Sequence, residues 1–409
     1  MLFTPLTLPN GSTLPNRLAK AAMEESMAEA GQLPGRAIHR LYARWAQGGT
    51  GLIITGNVMV DSRALTGPGT IALEAHTPLE PFKAWVQATR GHGATMWMQI
   101  NHPGRQVMAN LGGLAWAPSA VALDLGKHSK LFAPPVAMTE EQIAEVIRRF
   151  GDTAYAAEQA GFDGVQIHAA HGYLLSQFLS PLANRRDDQW GGSLANRARL
   201  LLEVVRAVRA RVAPGFCVSV KLNSADFQRG GFSEEDARQV VLLLNQLPVD
   251  LVELSGGSYE SPAMQGRTAD GRTLAREAYF LEFAQALAAV ARMPVMTTGG
   301  IARQAIAEQV LASGVAVVGI ATALTLAPDL AQQWRAGAAP LATDPPLKWQ
   351  DKVLASLATL AVARRRLRTL GADGRSGGRL SPLFSLLIDQ VLTSLLARRY
   401  RKWRMKLSG

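Results

Sequence analysis

Cysteine is nearly absent: the 409-residue chain has one, Cys217. A single thiol excludes an intrachain disulfide, and it excludes a zinc site or iron–sulfur cluster held by several cysteines. Also missing is a GxGxxG turn after the first strand-like segment, the usual mark of a doubly wound dinucleotide fold. The GGTG at 48–51 precedes a strand instead of following one and reads as a helix stop. The opening residues, MLFTPLTLPNG, carry neither a basic stretch nor a long apolar one. No secretory signal is therefore expected, and a reducing, cytoplasmic setting is. One uncharged run has membrane length, VLASGVAVVGIATALTLAP at 310–328. Its glycine and threonine content and its lack of flanking anchors fit a helix end followed by a strand buried on both faces.

Acidic residues are scarce at one end only. Residues 345–409 hold 14 Lys and Arg against 3 Asp and Glu, whereas residues 1–344 hold 29 of each. The excess positive charge belongs to a tail, and the neutral body lacks the electrostatic footprint of a nucleic-acid binder.

What the chain does have is a 48% hydrophobic content and one repeating pattern: apolar strand, short loop with Gly or Asn, amphipathic helix. The strands are expected at 17–23, 51–56, 95–100, 164–169, 217–222, 251–256, 294–299 and 315–320. Helix starts are expected at the Thr77–Glu80 and Thr139–Gln142 capping boxes, and helix ends at Gly48-Gly49 and Gly161. Eight such units argue for the α/β class and a parallel (β/α)8 barrel over residues 1–344, followed by a basic, partly helical extension at 345–409. In that extension, 365–379 (RRLRTLGADGRSGGR) reads as an exposed connector, and the segment from Pro382 as one amphipathic helix followed by a basic end with six cations from Arg398 to Lys406. The contact made by 380–409 stays open between the barrel, a second copy of the chain, and an anionic membrane surface approached from the cytoplasm.

The active site of such a barrel lies at the carboxyl ends of its strands. Strand three ends there in QINHPGR, strand four in IHAAHGY, strand five in KLNSAD and strand seven in TTGGI. Gly299 and Gly300, on strand seven, sit where backbone N–H groups often cradle phosphate. Gln99 can offer an amide to a heterocycle edge, and Lys221 a cation to a ring that gains negative charge. Alternatively, Lys221 pairs with Asp226 and Gln99 caps a loop. His168 and His171 could ligate a metal as in a barrel hydrolase, be held by loop carbonyls, or donate hydrogen bonds to one developing oxyanion while the Tyr173 phenol gives a proton.

Longer stretches carry a resemblance: LFTPLTLPNGSTLPNRL, YARWAQGGTGLIITG, QINHPGR, AGFDGVQIHAAHGYLLSQFLSPLANRRDDQWGGSLANR, VSVKLNSADF and TTGGI. Through them the chain resembles the Old Yellow Enzyme family of FMN-dependent ene-reductases, which are TIM barrels, over about residues 2–335. The resemblance implies FMN as cofactor, NADH or NADPH as reductant, and a small unsaturated substrate with an activated C=C bond. It implies that Ala22 and Met23 lie along the flavin, that Gly56 and Gln99 contact the ring, and that Lys221 takes the place of an arginine near its N1/O2 edge. Gly299 and Gly300 would bind the FMN phosphate. His168 and His171 would hold the substrate carbonyl oxygen, and Tyr173 would protonate the α-carbon. The chain departs from the family pattern at Ala321-Thr322, where many relatives have Gly-Arg beside the phosphate. It departs again at Glu24, where Thr or Cys often tunes the flavin and where a carboxylate opposes reduced-flavin charge unless paired, and at Ala195, where a glutamate is common.

Overall fold

The computed structural model describes the chain apart from residues 264–277, 279, 341, 345–346, 348, 375–377 and 408–409. Eight parallel strands form the centre: β1 (Leu18–Lys20), β2 (Leu52–Ile54), β3 (Thr95–Asn101), β4 (Gly164–Ala169), β5 (Cys217–Asn223), β6 (Leu251–Ser255), β7 (Val295–Thr297) and β8 (Val317–Ile320). Each pairs with the next, and β8 returns to β1 in the register Val318↔Leu18 through Ile320↔Lys20, which closes the barrel. An outer helix follows each strand: α1 (Arg36–Gln47), α2 (Glu80–Arg90), α3 (Glu140–Gln159), α4 (Leu194–Arg209), α5 (Glu234–Leu244), α6 (Leu281–Ala288), α7 (Gln304–Ala312) and α8 (Leu330–Arg335), with short extra helices at Leu174–Leu179 before α4 and Ala323–Leu326 before α8. The expected (β/α)8 architecture is the one that forms. The uncharged run 310–328 divides between the end of α7 and buried β8, and no described helix is long and apolar enough to cross a membrane.

Strands covered on both faces must be apolar nearly throughout, and all six residues of β4 are buried. The two-residue period still separates two environments. Val165 and Ile167 join the core beneath the helices. Leu52, Ile54, Trp97, Leu251 and Met296 pack with one another in a second cluster. A small antiparallel hairpin, Leu6–Thr7 with Thr13–Leu14, adjoins that cluster through Leu14, and Asn10 Nδ2 donates to the Gly215 carbonyl at 2.9 Å near the start of β5. With the amino end filled in this way, polar inward residues are left to the carboxyl end. Outside the barrel, Tyr42 of α1 meets Trp85 of α2 edge to face at 4.9 Å.

The capping box at Thr139 forms: its hydroxyl accepts the Gln142 amide at 3.3 Å, and the Gln142 side chain accepts the Thr139 amide at 3.0 Å. Thr139→Ala should therefore cost about 1 kcal/mol. A lower Tm by calorimetry is the expected result, and an unchanged Tm would show that the cap contributes nothing. The second expected box, at Thr77, does not form. The helix begins at Glu80, and Thr77 Oγ1 instead accepts the Glu74 amide at 2.9 Å, making a local turn before the helix.

The C-terminal extension differs most from expectation. Two helices, α9 (Lys352–Gly371) and α10 (Pro382–Leu407), form a hairpin, so the expected connector is helical as far as Gly371 and the whole basic end is helical. Arg366 of the supposed exposed stretch is 1% exposed, with Nη2 at 2.7 Å from Asp344. Asp389 of α10 takes Arg364 at 3.1 Å and Arg368 at 2.9 Å, both from α9. The hairpin packs on the barrel: Tyr400 donates to the Ser62 carbonyl at 2.7 Å, and Asp373 pairs with Arg40 of α1 at 2.8 Å.

Candidate active site

The carboxyl ends of β4, β5 and β6 bring the sequence-predicted residues together. His168 and His171 meet edge to face at 5.0 Å, and the Tyr173 ring lies 4.9 Å from that of His168. The IHAAHGY segment achieves this through a turn with His171 and Gly172 both at positive φ (62° and 73°). That conformation is costly for a histidine and is held by the Asn223 side chain, which accepts the His171 amide at 3.1 Å. His168 Nδ1 accepts the Ala170 amide at 3.3 Å, so its proton sits on Nε2, which makes a donor of that nitrogen. His171 Nε2 lies 2.7 Å from Ser255 Oγ. With both rings engaged in this way, no group of three metal-ligating side chains is present among the described residues, and the hydrolase alternative finds no support.

Burial lowers the His168 and His171 pKa values well below the ordinary imidazole range, helped by the Lys221 charge and, for His168, by the neighbouring ring. Both are neutral at physiological pH. His102, stacked on Trp116, is pushed down by burial to about 4. Tyr173 moves the other way: burial first, then Tyr259 and Glu24, raise its pKa well above 10, so the phenol keeps its proton. These three histidines, and half-buried His39, which burial lowers as well, make stability depend on pH with a definite sign. The unfolded chain takes up these protons first, so stability is full above about pH 7 and falls as pH drops through ~6.5, with His102 alone accounting for about 3 kcal/mol by the time pH reaches its folded value. Thermal melts across that window should show Tm falling with acidity; a flat Tm would mean that the rings are not buried neutral.

Beneath the imidazoles runs a polar chain. Lys221 pairs with Glu253 at 2.7 Å, not with Asp226. Gln166 Nε2 donates to the second Glu253 oxygen at 2.8 Å, and Gln99 Nε2 donates to Gln166 Oε1 at 2.8 Å. A carboxylate only accepts, so Glu253 fixes the orientation of Gln166 and through it that of Gln99. Gln99 therefore serves a neighbouring side chain with one amide proton and keeps its carbonyl for other work.

The residues expected around FMN fit it by chemistry. Gly299 and Gly300 have φ of 123° and 70°, a conformation open to glycine, and no hydrogen bond engages their amides or that of Thr322 among the described residues. Free N–H groups at the ends of β7 and β8 suit an anionic group such as a phosphate. Ala321 and Thr322 add no cation there. Ala22 and Met23 follow β1, and Gly56 follows β2, where its amide donates to the Tyr42 hydroxyl at 2.9 Å. A Cβ on Gly56 would come within 2.2 Å of both Glu25 and the Met23 carbonyl, so only glycine fits. Below it lies a buried Lys20–Glu25–Tyr42 cluster, with the Lys20 pKa lowered by burial to about 8. The Glu24 carboxylate accepts hydrogen bonds from the hydroxyls of Thr66 at 3.1 Å and Thr70 at 3.2 Å, and the Arg364 charge acts on it.

Sequence reasoning missed five participants. Glu253, Gln166 and Ser255 stand at alternate inward positions of strands that read as apolar runs; the signal was a charged or polar residue every second place. Tyr259, four residues past β6, holds its hydroxyl 3.1 Å from that of Tyr173. Arg364 reaches the site from α9, and no local pattern marks it.

Comparison with known proteins gives the family. Residues 1–339 match the NADH:flavin oxidoreductase / NADH oxidase family. The NADH-dependent flavin oxidoreductase iliE of Hypocrea jecorina is 36% identical over 80% of this chain and 86% of its own length. The NADH-dependent flavin oxidoreductase iccE of Talaromyces variabilis is 40% identical over 72% and 76%. The chain spans about half (46%) of a third relative, iliE of Neonectria sp., at 39% identity over 80% of this chain. Among solved structures, the old yellow enzyme homologue from Zymomonas mobilis superposes with TM-score 0.71 at 25% identity, covering 85% of this chain and 95% of that one. Morphinone reductase gives 0.69 at 25% identity, over 85% and 91%. The cofactor is FMN and the reductant a nicotinamide. This chain belongs to the NADH:flavin oxidoreductase / NADH oxidase family and is an FMN-dependent oxidoreductase of the Old Yellow Enzyme type.

Proposed function

We propose that the enzyme is an ene-reductase, which takes hydride from NADH or NADPH and adds the elements of H₂ across a C=C bond conjugated to a carbonyl or comparable group. Bound FMN would supply the hydride relay between the nicotinamide and the β-carbon. The reading rests on one observation: a neutral imidazole with its proton on Nε2 stands 4.9 Å, ring to ring, from a phenol that keeps its proton.

In this reading His168 donates to the substrate carbonyl oxygen, with His171, oriented by Ser255 and Asn223, as the second donor. Neutral donors stabilise the negative charge that develops on that oxygen when hydride arrives. Tyr173 gives its proton to the α-carbon, and the Tyr259 hydroxyl at 3.1 Å passes it a replacement. Ala22, Met23, Glu24, Gly56 and Gln99 border the ring, and Gly299, Gly300, Ala321 and Thr322 receive the phosphate. Lys221 acts on the ring as one pole of an ion pair, because Glu253 already balances it. The catalytic unit is the barrel of residues 1–344, and 345–409 is an addition to it.

The test is anaerobic turnover of NADH with 2-cyclohexen-1-one. The expected product is cyclohexanone, one per NADH consumed. NADH consumption that requires oxygen and leaves the enone intact would make the protein an oxidase and end the ene-reductase reading.

A further inference from the structure

The outer face of α10 is apolar where a surface helix normally shows polar residues to water. Its inner face is already satisfied: Ser385, Asp389, Ala397 and Tyr400 are buried against α9 and the barrel. On the opposite side Leu383, Leu387, Val391 and Leu395 recur every fourth residue with exposures of 59, 53, 61 and 54%. These twelve residues of rise make a stripe about 18 Å long, widened by Phe384 at 54% exposure. The same face continues into Arg398, Lys402 and Lys406, all exposed, and into Arg401, which is exposed but also donates to the Asn110 carbonyl at 3.3 Å.

The charges select the occupant. Between Pro382 and Leu407 the one acidic residue is Asp389, which is buried and paired with two arginines of α9. The outer face is therefore apolar and then purely cationic, while residues 1–344 are neutral. A second copy stacked face to face would set cations against cations or against the leucine stripe, with no exposed carboxylate on this helix to meet them. An anionic lipid surface meets both halves at once, with acyl chains under the leucines and phosphates under the cations.

We propose that the outer face of α10 docks the enzyme peripherally on an anionic membrane surface. The hairpin that would dock also borders the reaction site. Leu396 packs on Gly69, and the Arg364 charge acts on Glu24, Tyr173 and Tyr259.

Co-sedimentation of the FMN-loaded full-length protein tests this, with vesicles of phosphatidylcholine alone and of phosphatidylcholine mixed with phosphatidylglycerol. Binding is expected to the mixed vesicles and to weaken with added salt. The triple change Arg398→Gln, Arg401→Gln, Lys402→Gln should weaken it about 100-fold. Leu387→Ser with Val391→Ser should weaken it by about as much, and both variants should keep the parent's flavin content. No binding to the mixed vesicles, or equal binding to both kinds, would overturn the proposal. So would a parent dimer on gel filtration that Leu387→Ser with Val391→Ser converts to a monomer, since a second copy would then be the occupant.

Discussion

Replacing Tyr173 by Phe is expected to slow reoxidation of the reduced enzyme by an enone about 10²–10⁴-fold, with reduction by NADH unchanged. The split follows from what each half of the reaction needs. Hydride delivery from the nicotinamide calls for no proton from the protein, whereas saturation of the enone requires one at the α-carbon. Among the described residues, Tyr173 and Tyr259 bring phenols to this place, their hydroxyls 3.1 Å apart. The elevated Tyr173 pKa keeps the donor loaded at neutral pH. Tyr259→Phe should have a smaller effect, confined to the same half, because it removes the supply and not the donor. Stopped-flow measurement of the two halves separates these cases. Equal slowing of both halves in Tyr173→Phe would indicate distorted flavin binding and remove the assigned role.

The second large effect concerns the pair Lys221–Glu253. Lys221→Ala strands a carboxylate that is 0% exposed, and removing one member of a buried pair costs about 3–5 kcal/mol. The variant should therefore melt early and also lose FMN or reduce it slowly. Stability alone would not distinguish a flavin role from a structural one. Lys221→Ala combined with Glu253→Gln restores a neutral, hydrogen-bonding partner for Gln166, so stability should largely return. If Lys221 acts on the flavin, the double variant still takes hydride from NADH slowly. A double variant with parental stability and a parental reduction rate would reduce Lys221 to a structural ion.

Most of the barrel was legible because its signals are local. Each strand is an apolar run ended by glycine, asparagine or a polar cluster, and the place of Gln99, His168 and Lys221 near the carboxyl ends of β3, β4 and β5 already put them at one mouth. The two capping boxes show where local signals stop sufficing. Thr139 and Gln142 satisfy each other without help, whereas Thr77 found a nearer amide at Glu74 before Pro81 opened the helix. Glu253 was hidden by its own strand, whose neighbours LV and LS read as core. The tail was misread for a longer-range reason. A run of arginines and glycines looks solvated unless the counterions are known, and here Asp344 and Asp389 lie 22 and 25 residues from the arginines they hold. That the hairpin comes to rest beside Glu24 and Tyr259 depends on pairings across the whole chain, which no window of sequence displays.

The account depends on FMN and an unsaturated carbonyl compound sharing the carboxyl end of this barrel. The most direct measurement is a single anaerobic turnover: load the enzyme with FMN, reduce it with one equivalent of NADH, remove the nicotinamide and add 2-cyclohexen-1-one. The predicted result is return of the oxidised flavin spectrum with one cyclohexanone formed per flavin. A protein that retains no FMN, or a reduced flavin that ignores the enone and reoxidises only in air, would contradict it.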